Sequence, residues 1–276
     1  MMNNNKYTFT YISRILFIFF VLFLAFLLIR KYKHNSTNNA GNFTEDYAVS
    51  NGAVSVVPTI MPTPDSSNIM PYTIDPDKPM IALTFDDGPN TSTTGSILDT
   101  LETHNARATF FVVSSRLPAH YEASNRALSI GCEIGSHSYS HKMLNKLKTK
   151  QIKKEFKRSK KIIKKYTGNT FSLVRTPYGD TDRRVLKNTD YPVVLWSVDS
   201  LDWKSKNSKK IVKRVMKNIK DGDIVLMHDL YTSTADAVKE IVPKLISQGY
   251  QLVTVSEMME ARGIELKNGH TYGSAR

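Results

Sequence analysis

The stretch Met80-Ile81-Ala82-Leu83-Thr84-Phe85-Asp86-Asp87-Gly88-Pro89 decides how the rest of the chain is read. An uncharged, mostly apolar run ends abruptly on two carboxylates and a Gly-Pro pair. That is the pattern of a strand buried on both faces, followed by a turn. Runs of the same kind recur at residues 109–113, 133–135, 173–175, 193–198, 224–227 and 252–255. Helical stretches are expected at 93–105, 121–130, 149–166, 181–189, 208–219, 236–247 and 256–261. Two of them have a clear apolar face: Ile152, Phe156, Ile163 and Tyr166 in one, Ile211, Val215 and Ile219 in the other. Pro243 should kink the sixth. Seven strand–helix alternations predict an α/β fold, a parallel sheet with helices outside, open or closed as a barrel. In such folds functional side chains gather at the carboxyl ends of strands.

Ionisable groups follow five of those strands. They are Asp86-Asp87; His137 and His141; Arg175 with Tyr178; Asp199 and Asp202-Trp203; and His228-Asp229. His137 and His141 are four apart, so on one helical turn their rings face the same way and can share a metal. A carboxylate from a nearby strand end would complete a two-histidine, one-carboxylate site with positions open to water. Alone, such a histidine pair is common without metal, and Asp-Asp-Gly-Pro alone reads as a turn. Two adjacent carboxylates in a cleft, however, repel unless a cation relieves them. His34, His104, His120 and His270 have no motif around them and read as surface residues. Cys132 reads as a small buried hydrophobe. Asp199 reads equally as a site residue or a strand-end hydrogen-bonding group, and Asp229 as a cap or orienting group.

Five motifs in this order, Thr84 to Pro89, His137 to His141, Arg175 to Tyr178, Asp199 to Trp203 and Leu226 to His228, resemble those of the polysaccharide deacetylases, carbohydrate esterase family four. The resemblance covers roughly residues 80–263. It implies a distorted seven-stranded (β/α) barrel. It implies that Asp87, His137 and His141 bind a divalent metal, zinc by default, with cobalt, manganese or nickel as alternatives, and that the metal activates water. Asp86 would be the general base, oriented by Arg175. The main-chain N–H of Tyr178 would help hold the oxyanion. His228 would protonate the leaving nitrogen, steadied by Asp202. Trp203 would wall the pocket and Leu226 would meet the acetyl methyl; the plainer reading of both is core packing. The implied activity is removal of N-acetyl groups from N-acetylglucosamine in a cell-envelope glycan. The fourth motif is most like peptidoglycan N-acetylglucosamine deacetylases. Deacetylases of N-acetylmuramic acid, of chitin-like oligosaccharides or of acetylxylan are the alternatives. So is a non-catalytic carbohydrate-binding relative, which the intact base, ligand and acid set argues against.

The chain has 276 residues, 41% hydrophobic and 23% charged, which excludes global disorder. One cysteine excludes a disulfide framework. The net charge is +13, unevenly spread. Residues 142–165 carry +11 and residues 204–220 carry +8, leaving the remainder at −6. The five basic residues among the first 34 sharpen that contrast, so the rest of the body is acidic. This is not a uniformly basic nucleic-acid coat, and the basic runs lack interleaved aromatics. The lysine runs fit an anionic wall polymer or lipid as partner, or plain solvated faces. Ile15 to Ile29 is unbroken and apolar. Extended from Tyr11 to Tyr32, it reaches the roughly 20 residues that span a membrane. The expected organisation is a cytoplasmic stub and transmembrane anchor at 1–34, a flexible linker at 35–74, a catalytic domain at 75–265 and a tail at 266–276. The catalytic domain would lie outside a single-pass membrane anchor. A secreted form after signal cleavage is the alternative, although no small-x-small site follows the run.

Overall fold

In the computed structural model, which describes residues 72–276, strand β1 spans Met80–Asp86 and is buried at every position. The apolar run at 15–29 and nearly all of the linker lie outside the described residues. Among the described residues no helix is long and apolar enough to cross a membrane. The other strands are β2 Thr109–Val112, β3 Glu133–Ser136, β4 Val193–Val194, β5 Val198–Asp199, β6 Asp223–His228, β7 Gln251–Leu252 and β8 Thr271–Tyr272. The helices are α1 Thr91–Thr103, α2 Leu117–Ser129, α3 Thr149–Thr167, α4 Arg183–Leu186, α5 Asp202–Ser205, α6 Ser208–Asn218, α7 Thr232–Ser247 and α8 Val255–Ala261.

β1 is the centre of the pairing. β6 runs along it with Asp86 opposite His228. β2 joins its upper half and β7 its lower end. β3 follows β2, and Val174 bridges Ser136 on one side and Val193 on the other. β5 returns to β6. All of these pairings are parallel. Because side chains alternate along a strand, β1 serves two cores. Ile81, Leu83 and Phe85 join the cluster that includes helix residues such as Ile97, Leu101, Ile152 and Ile241. Met80 and Ala82 join a second cluster with Phe111, Leu173, Val194, Ile224 and α8 residues Met258 and Met259. Thr84 and Asp86 continue that second side, so the same alternation carries it from apolar residues to the site.

Two expected strands are shorter than the sequence pattern implied. Of 173–175 only Val174 pairs, and 193–198 divides into β4 and β5. The cause is Arg175, whose Nε donates to Val194 O (3.1 Å) and Nη2 to Leu195 O (2.8 Å). Those carbonyls serve a buried guanidinium instead of a strand ladder. The expected strand at 252–255 ends at Leu252, because Thr254 and Glu257 form a capping box that draws Val255 into α8. Asn90 accepts from the N–H groups of Ser92 and Thr93 and starts α1 two residues early. Gly168, at φ 72, ends α3. α4 keeps one turn, and α7 starts four residues early and runs unbroken through Pro243. α5 and β8 had no signal in the sequence. β8 pairs with β4.

Candidate active site

The site is built at the carboxyl ends of β1, β3 and β6. Asp86 is 3% exposed and takes its position from the last step of β1. Arg175, fully buried, reaches it through the strand layer: Nη1 donates to Asp86 Oδ1 (2.8 Å) and to Thr84 Oγ1 (2.7 Å). The guanidinium also lies 4.3 Å from the centre of the Phe111 ring. Burial pulls its pKa down, and Asp86 opposes that fall. With Oδ1 engaged, Asp86 turns Oδ2 toward His137 Nε2, 3.7 Å away.

Asp87 stands at φ 75, in the left-handed region that non-glycine residues avoid. The turn aims its carboxylate back over the strand end. Oδ1 lies 3.1 Å from His141 Nε2 and 3.6 Å from His137 Nε2. One ligand atom from each of Asp87, His137 and His141 lies within 4.8 Å of the others. Asp87 Oδ1 is buried yet makes no hydrogen bond. An orphaned carboxylate oxygen facing two ring nitrogens fits a shared cation better than it fits a hydrogen-bonded cluster. Burial works to raise the Asp87 pKa, but His141 and His137 outweigh it and bring it to about 2. His137 Nδ1 is 2.8 Å from Arg175 O, which fixes the ring so that Nε2 faces the site. Burial lowers the His137 pKa, against Asp86 and Asp87, which favours the neutral, ligating form. The two rings do come together, but not through the helical turn expected from their spacing. His137 to His141 is a loop, with Ser138 at φ 66 and His141 at φ 54, and not a helical turn.

Across the pocket, His228 Nδ1 is 2.8 Å from Asp202 Oδ1. Asp202 is fully buried, and Oδ2 accepts from His228 N (2.6 Å) and Thr234 Oγ1 (2.8 Å). Burial alone would lower the His228 pKa; Asp202, by hydrogen bond and charge, overrides it and raises it to about 9. Nε2 is left as the ring nitrogen that can deliver a proton. Asp202 is placed by α5, a single turn that the sequence pattern could not show.

A cavity of about 420 Å³ joins these groups. Leu226 lines it at 4% exposure. Trp203 and Tyr178 line it while exposed, at 47% and 65%. Core packing therefore does not explain Trp203. Tyr178 sits at φ 63 with its ring edge-on to His141, centroids 4.8 Å apart. Asp199 also lines the cavity, and its Oδ1 accepts from Leu201 N (2.8 Å), the strand-end hydrogen bond expected of it. Trp196 and Tyr231 line it as well and had not been singled out. Tyr231 follows His228 by three residues, and that proximity to a strand end was the available signal. Asp229 is buried behind the site, accepting from Thr94 Oγ1 (2.5 Å), and burial raises its pKa to about 7. A Cβ on Gly88 would lie 2.0 Å from its carboxylate, so any side chain there would have to displace buried Asp229. Cys132 is buried, and His104 and His270 are exposed.

Residues 73–194 match the family model described as polysaccharide deacetylase. The chain is 46% identical over 190 residues to the peptidoglycan-N-acetylmuramic acid deacetylase PdaC of Bacillus subtilis, covering 69% of this chain and 41% of that protein. The solved structure of PdaC matches with a TM-score of 0.68, over 69% of this chain and 94% of the solved chain. A peptidoglycan-N-acetylglucosamine deacetylase of Bacillus cereus is 36% identical over 188 residues, 65% of this chain and 88% of that protein. A family 4 acetyl xylan esterase from Clostridium thermocellum, solved in complex with a cobalt ion, is 33% identical with a TM-score of 0.67, over 71% of this chain and 98% of that one.

Proposed function

The chain belongs to the polysaccharide deacetylase family, and from that premise we propose that it is a metal-dependent hydrolase removing N-acetyl groups from N-acetylglucosamine residues of peptidoglycan. The observation that carries the reading is the β1–β6 register, which sets Asp86 opposite His228 with the Asp87, His137 and His141 cluster beside them. A binding module has no need of such an array. The parallel pairing that passes from β6 through β1, β2, β3, Val174 and residues 193–199 back to β6, with β7 at the foot of β1, supports a distorted seven-stranded barrel.

Asp87, His137 and His141 would hold the divalent cation, zinc by default. When bound it supplies Lewis acidity and makes water nucleophilic near neutral pH. Asp86 acts as general base through Oδ2, since Arg175 occupies Oδ1. The main-chain N–H of Tyr178 meets the oxyanion that develops on the acetamide. His228 delivers a proton to the departing nitrogen, because an amine leaves far more readily than an amide anion. Asp202 keeps Nδ1 engaged and the ring charged. Trp203 walls the sugar, and Leu226 receives the acetyl methyl.

A second reading, N-acetylmuramic acid as substrate, is favoured by the higher identity to PdaC. Mass spectrometry of wall glycan digested after treatment with the protein names the sugar that loses acetyl. Absence of acetate release from both sugars would overturn the enzymatic reading.

The membrane and partner readings extend this picture. Residues 1–34 would anchor the protein, and the linker of about 40 residues would let the domain reach roughly 35 Å as a random coil. A form secreted after cleavage is the alternative. The lysine-rich exposed faces of α3 and α6 would hold the domain against an anionic wall polymer.

A further inference from the structure

α3 carries nine Lys or Arg residues and one acid, Glu155, and that acid is the charged residue the helix buries, at 7% exposure. Both its oxygens are directed at Ser140. The main-chain N–H of Ser140 donates to Oε2 (2.9 Å), and Ser140 Oγ lies 3.0 Å from Oε1 and 2.9 Å from Oε2. One turn further along α3, Ser159 Oγ is 2.6 Å from Ser136 Oγ, with both side chains fully buried. Ser136 precedes His137 and Ser140 precedes His141. Between the two contacts, the Arg158 guanidinium sits 3.6 Å from the centre of the Tyr139 ring. Two helix residues four apart, about 6 Å along the axis, therefore grip Ser136, the last residue of β3, and Ser140 in the loop that follows, each of which leads into a histidine.

The two histidines are not equally secured. His137 follows directly from β3 and its ring is tied to Arg175 O. His141 comes at the end of a loop that passes through two left-handed residues, Ser138 and His141 itself. Such conformations persist only where surroundings impose them. We propose that Glu155 is a positioning residue for the cation site, holding Ser140 so that the strained loop presents His141 Nε2 to Asp87. This rests on the metal reading above. It also accounts for a buried acid in a helix whose other charges are basic.

The test uses full-length protein in detergent, stripped of metal and titrated with Co²⁺, whose absorption reports ligand geometry. Glu155→Ala should weaken Co²⁺ binding by about 10–100-fold, the range for groups that orient a ligand, and should alter the spectrum. Glu155→Gln keeps an acceptor and should fall between. Ser140→Ala combined with Glu155→Gln should cost less than the two effects multiplied, because they break one contact. Ile163→Val, a packing change on the same helix, should lower the unfolding midpoint and leave Co²⁺ affinity unchanged. Wild-type affinity in both Glu155→Gln and Ser140→Ala would overturn the proposal even if Glu155→Ala fails to fold. An equal loss of affinity in Ile163→Val would overturn it too. Failure of the wild type to bind Co²⁺ would instead overturn the metal reading, and this inference with it.

Discussion

Replacing Asp87 or His137 by alanine removes one of three ligand atoms that lie within 4.8 Å of each other and nothing from either hydrophobic cluster. We expect both variants to lose bound metal and activity together while circular dichroism stays native. A full metal complement in either would refute the ligand set. His228 should behave differently. His228→Ala should keep its metal and lose about 10²–10⁴ in turnover, the range for acid–base catalysis. The pH dependence has a definite sign. Folding raises the His228 pKa from 6.5 to about 9, so the native state holds that proton more tightly. The linked stability is fully present below pH 6.5 and fades as pH rises through about 9. Denaturant unfolding of metal-free protein should show that loss, and Asp202→Asn should flatten it. In turnover, the same substitution should move the alkaline limb to lower pH. A limb unmoved in Asp202→Asn would remove His228 from the acid role.

At the scale of the element, α3 divides by face. Ile152, Phe156 and Ile163 are buried, while Lys153, Lys154, Lys157, Lys160 and Lys164 are exposed. Phe156→Ala should cost about 3–5 kcal/mol of stability, the range for emptying an aromatic core site, read by urea unfolding. Changing those five lysines to Gln should leave stability nearly unaltered. It should weaken binding to whole cell wall at low salt, since the attraction is screened over about 8–10 Å at physiological ionic strength. Turnover of a short soluble oligosaccharide should hardly change. Equal wall binding by wild type and variant across a salt series would leave the lysines as a solvated face.

For the whole molecule, full-length protein should fractionate with membranes at the mass of the intact chain. A mature amino terminus mapped near residues 35–45 would favour the secreted form.

The five clusters at strand ends, and the ordered motifs they form, were legible in the sequence. Each lies within a few residues of an apolar run, and alternation along that run is a local property. The apolar stripes of α3 and α6 were legible for the same reason. Other features required the fold. Arg175 breaks the 193–198 strand because a guanidinium from a distant segment takes the carbonyls of Val194 and Leu195. Asp86 meets His228 through strand register, which is set by pairing across the molecule. α5, one turn long, has no period to read, yet it delivers Asp202. In the sequence Glu155 is one acid in a lysine run, and only packing turns it inward to Ser140. Local chemistry is written in neighbouring residues, whereas burial and hydrogen-bond partnership are set between segments that meet only when the chain folds.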